Sequence, residues 1–266
     1  MAIAFIGGGN MASAIIGGLI AQGRSVQDML VIDPDEIARE RIKERFGVTA
    51  LPALTEALPT NSACVLAVKP QVMQPVCQSI ASHIGDALVI SIAAGTRLDS
   101  LAAWLHGHRR SVRVMPNTPA LVGLGAAGMY ADPSVSARDR QTTEEIVTAV
   151  GIAIWVDQEQ DIDTVTAISG SGPAYVFRWM EAMQAAATEL GLPEDKALPL
   201  IMQTLRGAAE LAMQSADGLA QLRENVTSPG GTTAAGLAAM NESGVTNSIV
   251  SGVRAAHARS IELGQG

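Results

Sequence analysis

A chain of 266 residues with 48% hydrophobic side chains is long enough for one large or two modest domains, and its net charge of −8 argues against a nucleic-acid partner. Cys64 and Cys77 are the only cysteines, each in an apolar run, and read as small buried thiols in a reducing compartment rather than a disulfide framework or a metal site. The histidines at 83, 106, 108 and 257 show no ligand spacing, so no metal is expected.

Residues 1–23 carry no charge, and Arg24 is the first charged side chain. A secretory leader needs a basic start, and a spanning helix rarely carries Gly7, Gly8, Gly9, Gly17 and Gly18 beside Asn10 and Gln22. A cytoplasmic protein with no membrane partner is the expectation. The same stretch reads as strand, glycine turn and helix. The apolar Ala2-Ile3-Ala4-Phe5-Ile6 leads into Gly7-Gly8-Gly9-Asn10-Met11-Ala12 and then Ala14-Ile15-Ile16-Gly17-Gly18-Leu19-Ile20. The spacing G-x-G-x-x-A is the one that cradles a dinucleotide pyrophosphate. Gly7 permits a tight turn, Gly9 lets backbone and phosphate approach, and Ala12 lets the helix pack on the strand. Ile6, Gly7, Gly8, Gly9, Asn10 and Met11 are the candidate cofactor contacts.

Further strands are expected near 29–33, 63–68, 88–92, 112–115, 126–130 and 152–156, with helical patterns between most of them. Short apolar strands alternating with amphipathic helices imply a mainly parallel sheet covered on both faces, a Rossmann-type α/β domain that binds ligands at the carboxyl ends of its strands. Asp33 ends the second strand, about 20 residues beyond the glycine turn, where an acid reaches a ribose 2′-hydroxyl. Asp35 and Glu36 follow, and no base appears until Arg39, a charge pattern that favours NAD over NADP. Asp33-Pro34 reads equally as a turn that starts the next helix. Ala67-Val68-Lys69-Pro70 closes another strand, and places Lys69 beside the cofactor crevice or in a solvated loop. In Met115-Pro116-Asn117-Thr118-Pro119 two prolines brace Asn117 and Thr118, whose polar groups are expected to face nicotinamide or substrate.

After Asp157 the pattern changes to Ala- and Met-rich helices near 175–190, 194–215, 232–240 and 245–263. The expected division is a dinucleotide-binding domain over 1–158 and an all-α substrate-binding and dimerisation domain over 159–266. These helices are apolar on several faces, which points to burial against another subunit and a homo-oligomer. Ser169-Gly170-Ser171-Gly172-Pro173-Ala174-Tyr175 and Thr227-Ser228-Pro229-Gly230-Gly231-Thr232-Thr233 each precede a helix. Small residues and bare N–H groups at a helix start suit a carboxylate or phosphate, although Ser and Thr also cap helices ordinarily. Ser171, Ser228, Gly230, Gly231, Thr232 and Thr233 are the substrate candidates from these motifs.

Along essentially its whole length the chain resembles the pyrroline-5-carboxylate reductases. The resemblance rests on Phe5-Ile6-Gly7-Gly8-Gly9-Asn10-Met11, Ala67-Val68-Lys69-Pro70-Gln71, Ser91-Ile92-Ala93-Ala94-Gly95, Met115-Pro116-Asn117-Thr118-Pro119-Ala120, the Ser169–Tyr175 motif, and Val226 with the Thr227–Thr233 motif. It implies hydride transfer from NAD(P)H to the C=N carbon of 1-pyrroline-5-carboxylate, giving L-proline. It places the substrate carboxylate on backbone amides at Val226 and Gly230–Thr233, and the Thr233 hydroxyl near the ring nitrogen. It also implies interlocked dimers assembled further, often as decamers, and a preference for NADPH with NADH also accepted, against the acidic residues at 33, 35 and 36.

Two alternatives stay open. A hydroxyacid or other carbonyl dehydrogenase shares this plan, but the lysines are Lys43, Lys69 and Lys196, and none lies in the helix after Pro173, where the related β-hydroxyacid dehydrogenases carry a catalytic one. A protonated cyclic imine needs no such donor, since its nitrogen already holds the proton. A catalytically silent dinucleotide-binding regulator is the other alternative.

Overall fold

The computed structural model describes residues 1–264. Among them, eight strands form one sheet: β1 Ile3–Ile6, β2 Met29–Ile32, β3 Thr49–Leu51, β4 Ala63–Leu66, β5 Leu88–Ser91, β6 Ser111–Met115, β7 Gly125–Ala131 and β8 Gly151–Trp155. The order is β3-β2-β1-β4-β5-β6-β7-β8, parallel throughout except between β6 and β7. The chain runs outward from β1 to β3, then returns to β4 on the other side of β1. That reversal opens a crevice at the carboxyl ends of β1 and β4. Ile6 pairs with both Ile32 and Leu66, so the ends of β2, β1 and β4 lie level at that edge. Residues 33, 7 and 67 therefore leave the sheet side by side.

Both faces of the sheet are covered, which is why its strands read as unbroken apolar runs. Phe5, Val31, Val65 and Ile90 pack into the core on one face, and Ile6, Cys64, Leu66 and Val89 into the core on the other. The helices α1 Asn10–Ala21, α2 Glu36–Phe46, α3 Met73–Ile80, α4 Leu98–Trp104 and α5 Ala137–Thr148 belong to this sheet domain. On α1, a side chain at Gly18 would put Cβ 2.2 Å from the Ala149 carbonyl oxygen, so the glycine lets the helix approach the backbone just after α5.

Helices make up the rest of the described chain: α6 Asp161–Val165 with a π-turn over Thr166–Gly170, then α7 Gly172–Glu189, α8 Glu194–Gln214, α9 Leu219–Asn225, α10 Thr232–Glu242 and α11 Val245–Leu263. By their contacts the described residues fall into two compact units, Met1–Pro173 with residues 255–264, and Ala174–Arg254. The first unit continues past the change in sequence pattern at Asp157. Ile162, Asp163 and Ala167 are buried, and α6 packs on β6 and β7. Gly128 of β7 makes room for this, since a Cβ there would lie 2.6 Å from Val165 Cγ2.

A buried polar network ties distant parts of the first unit together. Asp163 accepts hydrogen bonds from Arg97 Nη2 (3.2 Å), Arg113 Nη2 (3.5 Å) and the Ser260 hydroxyl (2.8 Å). Glu159 Oε1 accepts from Arg113 Nη1 at 3.4 Å and from the Leu98 N–H at 2.8 Å, and so caps the start of α4. The end of α11 also packs on the turn after β5, where a Cβ on Gly95 would sit 3.2 Å from Leu263 Cβ.

The second unit has almost no interior of its own. Between Ala174 and Arg254 only Ala197 and Ile201 are buried, while Phe177, Trp179, Met213 and Ile249 are exposed. Helices this apolar need a further surface to cover them.

Candidate active site

The glycine turn is built by its neighbours in the sheet. Gly7 sits at φ 101°, and a Cβ there would lie 2.8 Å from the Ala67 carbonyl oxygen, so only glycine fits. The Gly7 N–H donates to the Ile32 carbonyl (2.7 Å) and the Ala67 N–H to the Ile6 carbonyl (2.8 Å), which stitches the turn between the ends of β2 and β4. The Gly8 N–H donates to Oδ2 of Asp33 at 2.7 Å. Gly9 differs from both. No heavy atom lies within 4 Å of a Cβ built on it, so nothing in the protein forbids a side chain there. Gly9 is also the N-cap of α1, without a side-chain cap, and the first helical bond is Ser13 N–H to Gly9 C=O (2.9 Å). The N–H groups of Asn10, Met11 and Ala12 precede that bond and have no helical acceptor. An open glycine at an uncapped helix start fits a dinucleotide pyrophosphate.

The structure thus brings Ile6, Gly7, Gly8, Gly9, Asn10 and Met11 together with Asp33 and with Ala67, Val68, Lys69 and Pro70, which follow β4. Lys69 is exposed, with no ion pair among the described residues. Asp33 is engaged more fully than a ribose ligand alone requires: besides Gly8, its Oδ1 accepts the Asp35 N–H (2.9 Å). The helix cap is Asp35, whose Oδ1 accepts the Ile37 N–H, and not Asp33. Two bases missed as neighbours of this turn reach it from α2. Arg39 Nη1 donates to the carbonyls of Asp33 (2.9 Å) and Pro34 (2.8 Å), and Arg41 Nη2 donates to that of Gly8 (3.0 Å).

Two expectations are corrected. The Asn117 side chain does not face outward: its amide donates to the Ser169 carbonyl (3.0 Å) and its oxygen accepts the Ala126 N–H (2.9 Å), so it braces the loop after β6 against the π-turn. The Ser169–Tyr175 motif is not a bare helix start either. α6 and the π-turn run up to it, a bend at Ser171 separates them from α7, and the Ser171 N–H is already spent on the Thr166 carbonyl at 2.8 Å. Pro173 is tolerated because it falls in the first turn of α7, where its missing N–H costs no bond.

The second motif, in the other unit, keeps its expected form. The Gly231 N–H donates to the Ser228 carbonyl (3.0 Å), with Gly230 at φ 70°, which turns the chain into α10. Gly231 caps the helix without a side-chain bond, and the first helical bond is Ala235 N–H to Gly231 C=O (3.1 Å). The N–H groups of Thr232, Thr233 and Ala234 precede it. Thr232, Thr233, Val226 and Ser228 are all exposed. Three peptide donors on the positive end of a helix dipole are able to hold a carboxylate.

Known proteins agree with this architecture. Residues 159–263 match the family model for pyrroline-5-carboxylate reductase dimerisation, and residues 2–95 match that for coenzyme F420-dependent NADP oxidoreductases. A pyrroline-5-carboxylate reductase of Pseudomonas aeruginosa is 45% identical over 264 residues, covering 99% of this chain and 97% of that protein. That of Pasteurella multocida is 43% identical, covering 98% and 97%. A solved Coxiella burnetii pyrroline-5-carboxylate reductase superposes with a TM-score of 0.90 at 39% identity, covering 98% of this chain and 97% of that one. The Plasmodium falciparum pyrroline carboxylate reductase with NADP bound gives 0.87 at 29%, covering 99% and 98%. Among the described residues no helix is long and apolar enough to cross a membrane. A nucleotide-type glycine turn, an uncapped glycine-threonine helix start and full-length similarity converge: the chain belongs to the pyrroline-5-carboxylate reductase family of NAD(P)-dependent oxidoreductases.

Proposed function

We propose that the chain reduces 1-pyrroline-5-carboxylate to L-proline, as the names of its relatives indicate for them. The observation that carries this reading is the start of α10, where Thr232, Thr233 and Ala234 offer peptide N–H groups with no side-chain cap competing for them. They hold the substrate carboxylate, together with the backbone of Val226 and the Gly230–Gly231 turn. Ser228 flanks the turn, and the Thr233 hydroxyl sits toward the ring nitrogen.

A reduced nicotinamide supplies the hydride when bound. The hydride adds to the C=N carbon, and the π pair moves onto a nitrogen that enters already protonated, so no side chain has to deliver a proton during the step. The protein's share is orientation and a fixed field of peptide dipoles. Ile6, Gly7, Gly8, Gly9, Asn10 and Met11 hold the pyrophosphate, with Asp33, Ala67, Val68, Lys69 and Pro70 beside it, and Asn117 holds the loop after β6 in shape.

NADPH is the preferred cofactor in this reading, with NADH also used. The NADP oxidoreductase match over residues 2–95 supports it, and so do the guanidinium groups of Arg39 and Arg41, which reach from α2 to the carbonyls of Asp33 and Gly8. The dimerisation match and the coreless second unit support a homodimer, assembled further into a decamer. The two buried free thiols suit the reducing cytoplasm, and the acidic net charge argues against nucleic acid. The test is the loss of nicotinamide absorbance on mixing purified protein, pyrroline-5-carboxylate and NADPH or NADH, with proline identified as product. No oxidation with either cofactor overturns the proposal. Turnover of a 3-hydroxy acid in its place would favour the dehydrogenase alternative, and cofactor binding without turnover the silent regulator.

A further inference from the structure

The end of β2 presents a conflict of charge that the geometry resolves. Asp33, Asp35 and Glu36 lie where a 2′-phosphate on the adenosine ribose would arrive, and free carboxylates there would repel it. These acids are not all free. Each oxygen of Asp33 already accepts a peptide N–H, from Gly8 and from Asp35, and Asp35 is tied to the Ile37 N–H as the cap of α2. An acid that selects NAD takes both ribose hydroxyls on its carboxylate. Here that carboxylate also holds backbone, and two peptide N–H groups already draw on its charge.

Two cations lie over the same turn. Arg39 grips the carbonyls of Asp33 and Pro34, and both contacts use Nη1. Arg41 reaches the Gly8 carbonyl with Nη2 alone. A guanidinium carries five N–H donors in a rigid fork. Among the described residues, Nη2 and Nε of Arg39 and Nη1 and Nε of Arg41 have no protein acceptor, so each arginine keeps donors in reserve beside the acid. Such forks match phosphate oxygens in shape and charge. Arg41 has a second consequence. The N–H of Gly8 is held by Asp33 and its carbonyl by Arg41, so both polar groups of this turn residue are fixed from the β2–α2 segment.

We propose that Arg39 and Arg41 receive the 2′-phosphate of the cofactor's adenosine ribose, and that Arg41 in addition positions the glycine turn through Gly8. The proposal rests on the nicotinamide dinucleotide reading given above. Arg39 is then a specificity residue, which distinguishes phosphorylated from unphosphorylated ribose. Arg41 serves both the phosphate and the turn, and matters for either cofactor.

Calorimetric titration of the full-length chain with NADP⁺, NAD⁺ and 2′,5′-ADP tests this without recourse to activity. Arg39→Gln should weaken NADP⁺ and 2′,5′-ADP about tenfold or more, the loss of a charge-assisted hydrogen bond. It should leave NAD⁺ within about twofold. Arg41→Gln should weaken NADP⁺ by a similar factor and NAD⁺ by a smaller one, because the turn loses an anchor. The advantage of the unaltered chain for 2′,5′-ADP should shrink in about 1 M salt, where the charges are screened. Equal losses for NADP⁺ and NAD⁺ in Arg39→Gln, or no loss for NADP⁺ in either variant, would overturn the proposal. Binding of NAD⁺ but of neither phosphorylated ligand by the unaltered chain would overturn it while sparing the dinucleotide reading. Binding of none of the three would overturn both.

Discussion

Ser260, on the last turns of α11, donates its hydroxyl to Oδ1 of Asp163, a residue 97 positions earlier on α6, at 2.8 Å and with both side chains buried. Asp163 is also the acceptor for Arg97 and Arg113, and the Arg113 side chain is only 1% exposed. Removing one partner from a buried ion pair strands the other charge, at a cost of about 3–5 kcal/mol. Asp163→Ala should therefore lower the unfolding free energy by about that amount, while Ser260→Ala, which deletes one neutral donor, should cost about 1 kcal/mol. Denaturant midpoints of the variants check this. Equal, small effects would mean that the arginines find water when Asp163 is gone.

Gly7 and Gly9 sit two residues apart in one motif yet predict opposite failures. Gly7→Ala forces a Cβ against the Ala67 carbonyl and a side chain into positive φ, so it should destabilise the sheet domain itself, with a strain cost of about 1–3 kcal/mol. At Gly9 a Cβ meets no protein atom, so Gly9→Val should keep thermal stability near that of the unaltered chain while dinucleotide binding is lost by steric exclusion. Circular dichroism melts and calorimetric titration separate the two. Retained NADP⁺ and NAD⁺ binding by Gly9→Val would remove the turn from the cofactor site.

Burial pushes both thiols up to about 12, with the neighbouring Cys77 adding to the effect on Cys64. Almost no thiolate then exists at pH 8, and thiolate is the reacting form. Ellman's reagent should leave the native protein unmodified over minutes and titrate both cysteines once denaturant is added. Prompt reaction of either thiol in the native protein would show that α3 opens away from β4.

At Asp139 the sign of the pH effect follows from its partner. The Arg110 guanidinium, 2.6 Å away, holds the Asp139 carboxyl below the usual carboxylate range, the Ser136 hydroxyl helps, and burial opposes them. The folded chain therefore binds that proton less readily than the unfolded one. The stabilisation is complete above the unfolded value of about 3.9 and is lost as pH falls through the lower folded value. The urea midpoint of the unaltered chain should exceed that of Asp139→Asn by a constant margin from about pH 6 to pH 8, and the margin should begin to shrink below about pH 4. A margin that does not shrink on acidification below about pH 4 would assign the effect to the capping of α5 instead of to the charge.

What the sequence made legible was local. The glycine turn, the apolar strands and the α10 start each carry their cause within a few residues: a positive φ, a buried run, an absent cap. What it hid depends on partners far along the chain. Asn117 looked free because its acceptor, the Ser169 carbonyl, lies 52 positions away. Arg113 stands in the otherwise apolar Val112-Arg113-Val114, and only the fold places it on Asp163 and Glu159. Arg39 and Arg41 follow the acids at 33, 35 and 36 in the chain, yet the first turns of α2 bring them back over the carbonyls of Asp33 and Gly8. β3 has only three residues at the sheet edge, with Thr49 and Leu51 exposed, too short and too polar for a pattern to register. The π-turn over Thr166–Gly170, which ends in a bend at Ser171 just before α7, has no local signature at all.

Thr233 provides the sharpest test of the substrate half, because its hydroxyl has no structural task. It lies exposed on the first turn of α10, the cap is Gly231, and no hydrogen bond to the Thr233 side chain occurs among the described residues. Thr233→Ala should consequently leave the melting temperature and NADP⁺ affinity near those of the unaltered chain. If the hydroxyl steadies the ring nitrogen as the imine is reduced, kcat should fall by about 10- to 1000-fold, as for loss of a positioned donor. Thr233→Ser, which keeps the oxygen, should recover most of the rate. The peptide N–H of residue 233 survives both substitutions, so KM for pyrroline-5-carboxylate should move far less than kcat. A variant in which KM rises and kcat holds would place the hydroxyl on the carboxylate and not on the reacting bond. Unchanged kcat and KM in Thr233→Ala would leave catalysis to the peptide donors of α10 alone.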